Sequence, residues 1–358
     1  MHQNPRSLAL AFVLSVAAGV SAQAPAAWSD AVGEAIEAQI AQERIPGLSC
    51  AIGVGDSLVF RRGFGLADVE NEVPATAQTV YRLASVSKPI TAVLAMQLAE
   101  AGLLDLDADV HTLVPEWPAK PWPVTTRQLL AHLGGVRHYL DEAESTRHFA
   151  TPAEGLARFA ADPLLHEPGT RSHYSTYGYN LVAAVVEKAV QKPFADVVRE
   201  RIARPSGALS LQDDDVRRVI RGRAQGYVRV DGQLQNSELM DSSYKLGGGG
   251  LCSSADDLAR FAQALTDGKL VSRQTLETMW TQQRTRDGSA IDYALGFRVG
   301  SHGGRRVAFH GGAQSRVSTV LYLLPDARVV IVLLCNLEKV RLQPLAQRIA
   351  TLVLPEAR

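Results

Sequence analysis

The chain of 358 residues has little of several features that define functional classes. Its three cysteines are too few for a disulfide scaffold. Its 37 Lys and Arg balance 37 Asp and Glu, so it lacks the basic excess with which nucleic-acid binders neutralise phosphates. Hydrophobic residues at 46% and charged residues at 21% are ordinary values, which argue against disorder. Composition therefore predicts a globular protein and leaves its chemistry open.

The first residues have the three parts of a secretory signal peptide. Arg6 supplies the positive start, residues 8–20 are apolar apart from Ser15, and small residues surround Ala22. We expect cleavage after Ala22, export to the periplasm or the medium, and no stable membrane anchor in the mature chain. The alternative is an uncleaved anchor, for which the apolar run is short because a spanning helix needs about 20 residues.

Strand patterns at both ends of the chain enclose a mainly helical middle. We predict a hairpin of residues 48–54 and 58–64, a helical subregion over about 89–225, and a later return to strands. The late strands are predicted at 295–299, 306–310, 317–324 and 329–336, with terminal helices at 29–44 and 342–353. Strands joined by short turns pair antiparallel, so this order predicts one sheet built from both ends of the chain.

The first candidate motif is Ser85-Val86-Ser87-Lys88, followed by Pro89. Because proline lacks a backbone donor, Pro89 fits the first helical turn, and the helix should begin near Ser85. Residues three apart share a helix face, so Ser85 and Lys88 would point the same way. A serine nucleophile needs a proton acceptor, and a lysine can be one after losing its own proton. An N-cap serine beside a surface lysine is the alternative.

The second candidate is Tyr174, in a loop that enters a predicted helix. A tyrosine titrates at about 10, so it needs a nearby cation such as Lys88 to act as a base near neutrality. Aromatic packing at the helix entrance is the alternative interpretation.

The third candidate is His310-Gly311-Gly312-Ala313, at the end of a predicted strand. Two glycines allow a close backbone approach to a ligand, and the amide that follows them can donate to an oxyanion. Taken alone, the segment would be an ordinary turn at a strand end.

Together, the order and spacing of the three motifs resemble the serine beta-lactamase and penicillin-binding-protein superfamily, in its class C-like branch. That branch has S-x-x-K at a helix start, Y-x-N about ninety residues later, and K-T-G on a late strand. Here Tyr174 follows Ser85 by 89 residues. The stretches VTTRQLLAHLGGVRHY and DSSYKLGGGGLCSSADDLARF look closest to the mitochondrial serine beta-lactamase-like peptidases and their bacterial relatives.

The resemblance covers roughly residues 30–355 and implies a fold and a domain organisation. The fold is α+β, a three-layer α/β/α arrangement in which helices flank a beta-lactamase/transpeptidase-like antiparallel sheet. Residues 1–22 would be the signal peptide, and residues 23–358 would form a single serine hydrolase domain.

The same resemblance implies the chemistry. Ser85 would attack a peptide, amide or ester carbonyl, while Lys88 and Tyr174 share the role of proton acceptor. The backbone N–H groups of Ser85 and Ala313 would form the oxyanion hole. The further substrate-binding positions are Thr176, His310 and Gly312. No metal or organic cofactor is required.

Two departures from the family pattern bear on the substrate. Thr176 replaces the Asn of Y-x-N, and it offers a hydroxyl where Asn offers both an amide donor and an acceptor. His310 replaces the Lys of K-T-G, and a neutral histidine brings less positive charge. In the family these positions hold the amide and the carboxylate of a beta-lactam, so we do not expect efficient antibiotic hydrolysis. The mitochondrial-type relatives share both changes.

Three functions stay open at this point. The first is a peptidase or amidase that acts through an acyl-enzyme, with a peptide or another acyl compound as its partner. The second is a beta-lactamase, a D-Ala-D-Ala carboxypeptidase or an esterase with the same chemistry. The third is a catalytically weak scaffold that self-assembles as a homo-oligomer.

Several other residues are interpreted as structural. The three thiols lie in apolar segments and read as buried hydrophobes. His132 and His138 flank a turn, and residues 213–215 read as a solvated acidic turn. Tyr244 and Lys245, which precede the run of four glycines, could line a cleft or pack against it.

Overall fold

The computed structural model describes residues 28–140 and 146–354, and the predicted signal peptide lies outside them. The strands are β1 (Gly47–Val54), β2 (Ser57–Asp68), β3 (Val73–Pro74), β4 (Val80–Arg82), β5 (Gln212–Asp213), β6 (Tyr227–Val230), β7 (Gln233–Asn236), β8 (Leu251–Ser254), β9 (Arg298–His302), β10 (Arg305–Gln314), β11 (Val317–Leu324) and β12 (Val329–Cys335). The helices are α1 (Ser29–Glu43), α2 (Ser87–Glu100), α3 (Thr126–Leu130), α4 (Pro152–Gly155), α5 (Thr176–Val190), α6 (Phe194–Val198), α7 (Arg204–Ser206), α8 (Leu246–Gly249), α9 (Ala255–Thr266), α10 (Arg273–Trp280) and α11 (Gln343–Val353).

The main sheet is built from both ends of the chain. Its seven strands lie in the order β3-β2-β1-β12-β11-β10-β9, and each neighbouring pair is antiparallel. Every residue of β11 and β12 is buried, which is why β12 reads as the unbroken apolar run VVIVLLC. Strands covered on both faces lose the polar alternation of half-exposed ones. The predicted antiparallel sheet and the α+β class are confirmed.

Two apolar clusters cover the two faces of this sheet, as a three-layer arrangement requires. Successive strand side chains point to opposite faces. In β12, Ile331 and Leu333 pack with α1 and α11, whereas Val330 and Val332 pack with α2, α5 and α9. The layer that contains α2 and α5 also carries the first two candidate motifs, whereas the third lies on β10 of the sheet.

The three cysteines are free and buried. Burial raises the pKa of each thiol above its ordinary value, so the thiolate form is disfavoured. Cys50 lies opposite Leu333 in the sheet, and Cys335 lies opposite Leu48. The cysteines therefore serve as small apolar side chains.

Two sequence-based predictions need correction. The strand expected at 295–299 begins only at Arg298, because Gly296 adopts a φ of +90° and breaks the extended backbone. The acidic turn at 213–215 is not simply solvated, since Asp214 is buried and its Oδ2 lies 2.7 Å from Arg82 Nε. In both cases a tertiary contact or a backbone angle overrides the local pattern.

A smaller sheet, ordered β4-β8-β5, leads the chain into the candidate site. After β4 a single 3-10 turn, Ala84–Val86, carries Ser85 directly into α2. In the described part of the chain, we find no helix with the length and apolarity needed to cross a membrane.

Candidate active site

Ser85 lies in a turn that packs against strands β10 and β11 of the main sheet. Thr319 Oγ1, on β11, donates to the carbonyl oxygen of Leu83 at 2.9 Å. A Cβ on Gly312 would stand 2.5 Å from the same carbonyl oxygen, so only glycine permits this approach of β10. Ala84 adopts a φ of +48°, a conformation that costs energy for a residue with a side chain. The sheet thus fixes the backbone on which the serine hydroxyl stands.

Lys88 lies beneath Ser85 and is completely buried. Its Nζ lies 3.0 Å from Ser85 Oγ, 3.0 Å from Thr176 Oγ1 and 2.7 Å from the carbonyl oxygen of Gly248. Burial lowers the pKa of Lys88 well below its ordinary value, and the positive charge of Lys245 lowers it further. The environment therefore favours a neutral amine.

Tyr174 is the second side chain in contact with Ser85 Oγ. Its hydroxyl donates to Ser85 Oγ at 2.8 Å. Burial raises the pKa of Tyr174 to about 12, although the Ser85 hydrogen bond and the charge of Arg298 oppose that rise. Tyr174 is therefore a neutral phenol at physiological pH and a poor proton acceptor in the resting site.

The sequence motifs left Lys88 and Tyr174 sharing the role of proton acceptor. The lowered pKa of Lys88 and the raised pKa of Tyr174 favour different roles for the two residues. A neutral lysine amine has two N–H bonds and one lone pair, which match its two oxygen acceptors and the hydroxyl of Ser85. Ser85 can donate its proton to that lone pair while accepting a hydrogen bond from Tyr174. The geometry thus favours Lys88 as the base and Tyr174 as a donor.

The position of Tyr174 is fixed by the residues around it. It immediately precedes Ser175, the N-cap of α5, whose Oγ accepts from Gly178 N at 2.9 Å. The ring of His132 lies 4.3 Å from that of Tyr174, and His132 Nδ1 accepts from Ser175 N at 3.1 Å. Burial lowers the pKa of His132 well below its ordinary value, so this histidine is a neutral support.

Both ring nitrogens of His310 are hydrogen-bonded within the protein. Its Nδ1 donates to the carbonyl oxygen of Gly311 at 2.6 Å, so Nε2 accepts from the hydroxyl of Tyr293 at 2.9 Å. Burial, and with it the charge of Arg298, lowers the pKa of His310 to about 3. The residue predicted to bind substrate is thus a neutral, internally bonded side chain, and Tyr293 is a partner that the motifs did not indicate.

Thr176 and Gly248 orient the lysine. Thr176, one of the expected substrate-binding positions, is buried, and its hydroxyl accepts from Lys88 Nζ at 3.0 Å. A Cβ on Gly248 would stand 2.6 Å from Thr176 Cγ2, so glycine is needed to bring this carbonyl to the amine. The run of four glycines at 247–250 is the sequence feature that could have indicated this close backbone approach.

A cavity of about 390 Å³ opens over Ser85. Its walls include Ala313, the predicted oxyanion donor, and Gln314 from β10. His138 also lines it, with an Nδ1 that accepts from Thr176 N at 3.1 Å and a pKa that burial lowers to about 4. Ala313, whose amide is predicted to donate to the oxyanion, therefore lies on the wall of the space above the hydroxyl.

Lys245 is the cation on the wall of this cavity whose charge acts on Lys88. Its Nζ lies 5.2 Å from the ring centroid of Tyr139 and 5.4 Å from that of Tyr244, distances typical of cation–π contacts. The sequence left open whether Lys245 lines a cleft or packs against it. In the structure Lys245 lines the cavity and also packs against two aromatic rings.

Replacing Lys245 by Met should shift the acidic limb of the pH profile of kcat/KM to higher pH. Without that charge the pKa of Lys88 is lowered less, and fewer molecules carry the neutral amine in acid. We expect a loss of about threefold on the acidic limb and little change on the alkaline plateau. Lys269→Met, at an exposed site, is the matched control. An acidic limb that stays in place would exclude this electrostatic coupling.

Within the described residues, no group of three or more His, Cys, Asp or Glu side chains is arranged to hold a metal ion.

The family model described as Beta-lactamase matches residues 32–353. The mitochondrial serine beta-lactamase-like protein LACTB of Homo sapiens is 28% identical over 415 aligned residues, which cover 85% of this chain and 76% of that protein. The octameric penicillin-binding protein homologue from Pyrococcus abyssi has a TM-score of 0.78 at 24% identity, covering 90% of this chain and 77% of the other. The D-amino acid amidase from Ochrobactrum anthropi SV3 has a TM-score of 0.78 at 23% identity, covering 91% of this chain and 98% of the other.

Proposed function

The chain belongs to the beta-lactamase family, and from that premise we propose that it is a hydrolase that cleaves peptide or amide bonds through an acyl-enzyme on Ser85. Serine acyl-enzyme chemistry is implied by the family, whose relatives include penicillin-binding proteins, amidases and esterases. The observation that carries the proposal is the buried Lys88 amine, 3.0 Å from Ser85 Oγ, with its pKa lowered. A lysine in this state can take the serine proton.

Acylation begins when Ser85 Oγ attacks the substrate carbonyl. The hydroxyl proton passes to the lone pair of Lys88 Nζ, and the new C–O bond pushes the carbonyl electrons onto oxygen. The backbone N–H groups of Ser85 and Ala313 are the proposed donors to this oxyanion, in a role where one donor is often worth about a hundredfold in rate.

Collapse of the tetrahedral intermediate needs a proton on the leaving nitrogen. The hydroxyl of Tyr174, 2.8 Å from Ser85 Oγ, lies beside the bond that breaks and can donate that proton. The protonated Lys88 then returns a proton to the phenolate, which restores both groups. In deacylation, water gives its proton to the same pair and attacks the ester carbonyl, after which Ser85 Oγ leaves with a proton.

The surroundings of His310 argue against a beta-lactamase. The position that in the family carries a lysine holds here a neutral imidazole, bonded to Gly311 and Tyr293. It offers no positive charge to a beta-lactam carboxylate.

A substrate panel tests the proposal. Wild type and Ser85→Ala would be assayed on peptide amides, short esters, D-Ala-D-Ala peptides and a penicillin. We expect amide hydrolysis that Ser85→Ala abolishes, and kcat/KM for the penicillin at least about tenfold lower. Turnover of esters alone would favour the esterase alternative, and a preference for D-Ala-D-Ala peptides would favour the carboxypeptidase. Absence of every Ser85-dependent activity would favour the scaffold.

The proposal also includes self-association and export. The octameric assembly named for the Pyrococcus abyssi homologue supports self-association of this chain as well. Ser85, Lys88 and Tyr174 nevertheless meet within one chain, so catalysis does not require a partner copy. Export through the predicted signal peptide remains part of the proposal.

A further inference from the structure

The proposed oxyanion donor, Ala313, lies on a part of β10 that has a neighbouring strand on one side only. β11 pairs with β10 from Ala308 to Gln314, whereas β9 pairs with it only as far as Phe309. Within the described chain β9 is the last strand of this sheet, so no strand covers that side of β10 beyond Phe309. This uncovered side of residues 310–314 is the open edge of β10.

Gly311 and Ala313 direct their backbone N–H and C=O groups to the open edge. His302 and Arg305 flank the two-residue turn between β9 and β10, and residues in that position are hydrogen-bonded to each other. Successive residues of a strand direct their backbone groups to opposite edges, so the odd-numbered residues of β10 face the β9 side. The Gly311 carbonyl and the Ala313 amide therefore lie on the same edge, two residues apart.

The strand needs an external support at this point because two glycines precede Ala313. Glycine has more backbone freedom than any other residue, so the peptide groups around Gly312 rotate more readily than in an ordinary strand. A stiffer residue does not fit, since a Cβ on Gly312 would stand 2.2 Å from Thr319 Oγ1. The orientation of the Ala313 amide must therefore be fixed by contacts from outside the two glycines.

The side chains of His310 and Tyr293 supply such a contact at the open edge. His310 Nδ1 donates to the Gly311 carbonyl oxygen at 2.6 Å, and His310 Nε2 accepts from the Tyr293 hydroxyl at 2.9 Å. Both side chains are buried, and the backbone of Tyr293 forms a bridge with Arg298, the first residue of β9. Tyr293 is thereby anchored where β9 leaves β10, and the imidazole links that point to the Gly311 carbonyl.

On the basis of the acyl-enzyme function proposed above, we propose that Tyr293 and His310 are positioning residues for the oxyanion hole. By holding the Gly311 carbonyl they orient the Ala313 amide toward the oxygen on which negative charge develops. Both residues act through Ala313 and do not contact the substrate themselves.

Tyr293→Phe removes the hydroxyl that holds the imidazole but keeps the ring. We expect kcat to fall about tenfold with KM within about twofold of wild type, because an oxyanion donor acts on the transition state. Amides and activated esters should lose the same factor, since both form an oxyanion. Tyr322→Phe is the matched control, a buried tyrosine of β11 that is hydrogen-bonded to Gln347, and it should keep the wild-type rate.

His310→Asn and His310→Leu test the bond to Gly311 directly. Asparagine keeps an N–H donor near the position of Nδ1, whereas leucine has none. We expect His310→Leu to lose about thirtyfold in kcat and His310→Asn to stay within about threefold of wild type. Melting temperatures report on the folding of both variants. A KM that rises while kcat stays unchanged would show that His310 binds substrate, and would overturn the proposal.

Nitrogen-15 NMR of labelled histidine observes the His310 imidazole without any substrate. We expect a single ring proton, on Nδ1, and a ring that stays neutral from about pH 8 to about pH 5, because its pKa is lowered to about 3. A proton on Nε2 would overturn the positioning role, as would a wild-type kcat in either Tyr293→Phe or His310→Leu. A wild type that is never acylated at Ser85 would instead remove the proposed function and the positioning role together.

Discussion

Lys88→Met is expected to slow acylation of Ser85 by about 10³-fold while leaving the fold intact. The methionine fills most of the buried volume but has no lone pair at the position of Nζ, so the serine proton has no acceptor. Stopped-flow acylation with an activated ester measures the loss, and the melting temperature of the variant reports on folding.

The Lys88→Arg variant distinguishes two possible roles of Lys88, that of a proton acceptor and that of a fixed positive charge. Arginine keeps several N–H donors and a cation but does not lose a proton in proteins. We expect no rescue by arginine. An arginine variant within about tenfold of wild type would contradict the role of Lys88 as base.

The lowered pKa of Lys88 predicts how the acylation rate changes with pH. The reactive amine is the deprotonated form, which is lost as the pH falls through the pKa of Lys88. Acylation should therefore reach its plateau well below the pH at which an ordinary lysine loses its proton. A rate that keeps rising up to the ordinary lysine range would show that the amine is not perturbed.

Tyr174→Phe is expected to slow amide hydrolysis by about 10²-fold and to affect an activated ester much less. An amide nitrogen must be protonated before it leaves, whereas a nitrophenolate leaves as an anion. The raised pKa keeps the proton on Tyr174 until it is needed. Single-turnover rates for matched amide and ester substrates measure the difference.

Tyr139→Phe is the matched control, because Tyr139 lines the same cavity. We expect its effect on amide and ester substrates to be similar. Equal losses for both substrates in Tyr174→Phe would exclude leaving-group protonation and leave a positioning role.

Much of the architecture was predictable because its signals are local. The hairpin of β1 and β2 is set by a turn at Gly55, whose φ is +57°, and by two apolar strand patterns. Ser85, in the 3-10 turn, and Lys88, in the first turn of α2, are three residues apart, a spacing that brings side chains together in either kind of helix. The three-layer arrangement came with the resemblance, since helices cannot be assigned to sheet faces from periodicity.

The rest of the site depends on contacts between distant parts of the chain. The carbonyl oxygen of Gly248 accepts from Lys88, 160 residues away in the chain. Because every residue has a backbone carbonyl, the sequence does not show which one makes this contact. The pKa of Tyr174 is raised by burial that no local pattern encodes. His310 could not be assigned because its orientation is set by Tyr293, which belongs to no motif.

The central claim is that Ser85 is the nucleophile, and intact-mass spectrometry after reaction with a fluorophosphonate tests it most directly. Wild type should gain the mass of one probe molecule, as should Ser57→Ala, which alters an exposed serine of β2. Lys88→Met should gain it far more slowly. Ser85→Ala should gain nothing under the same conditions. Labelling of Ser85→Ala to the wild-type extent would contradict the account.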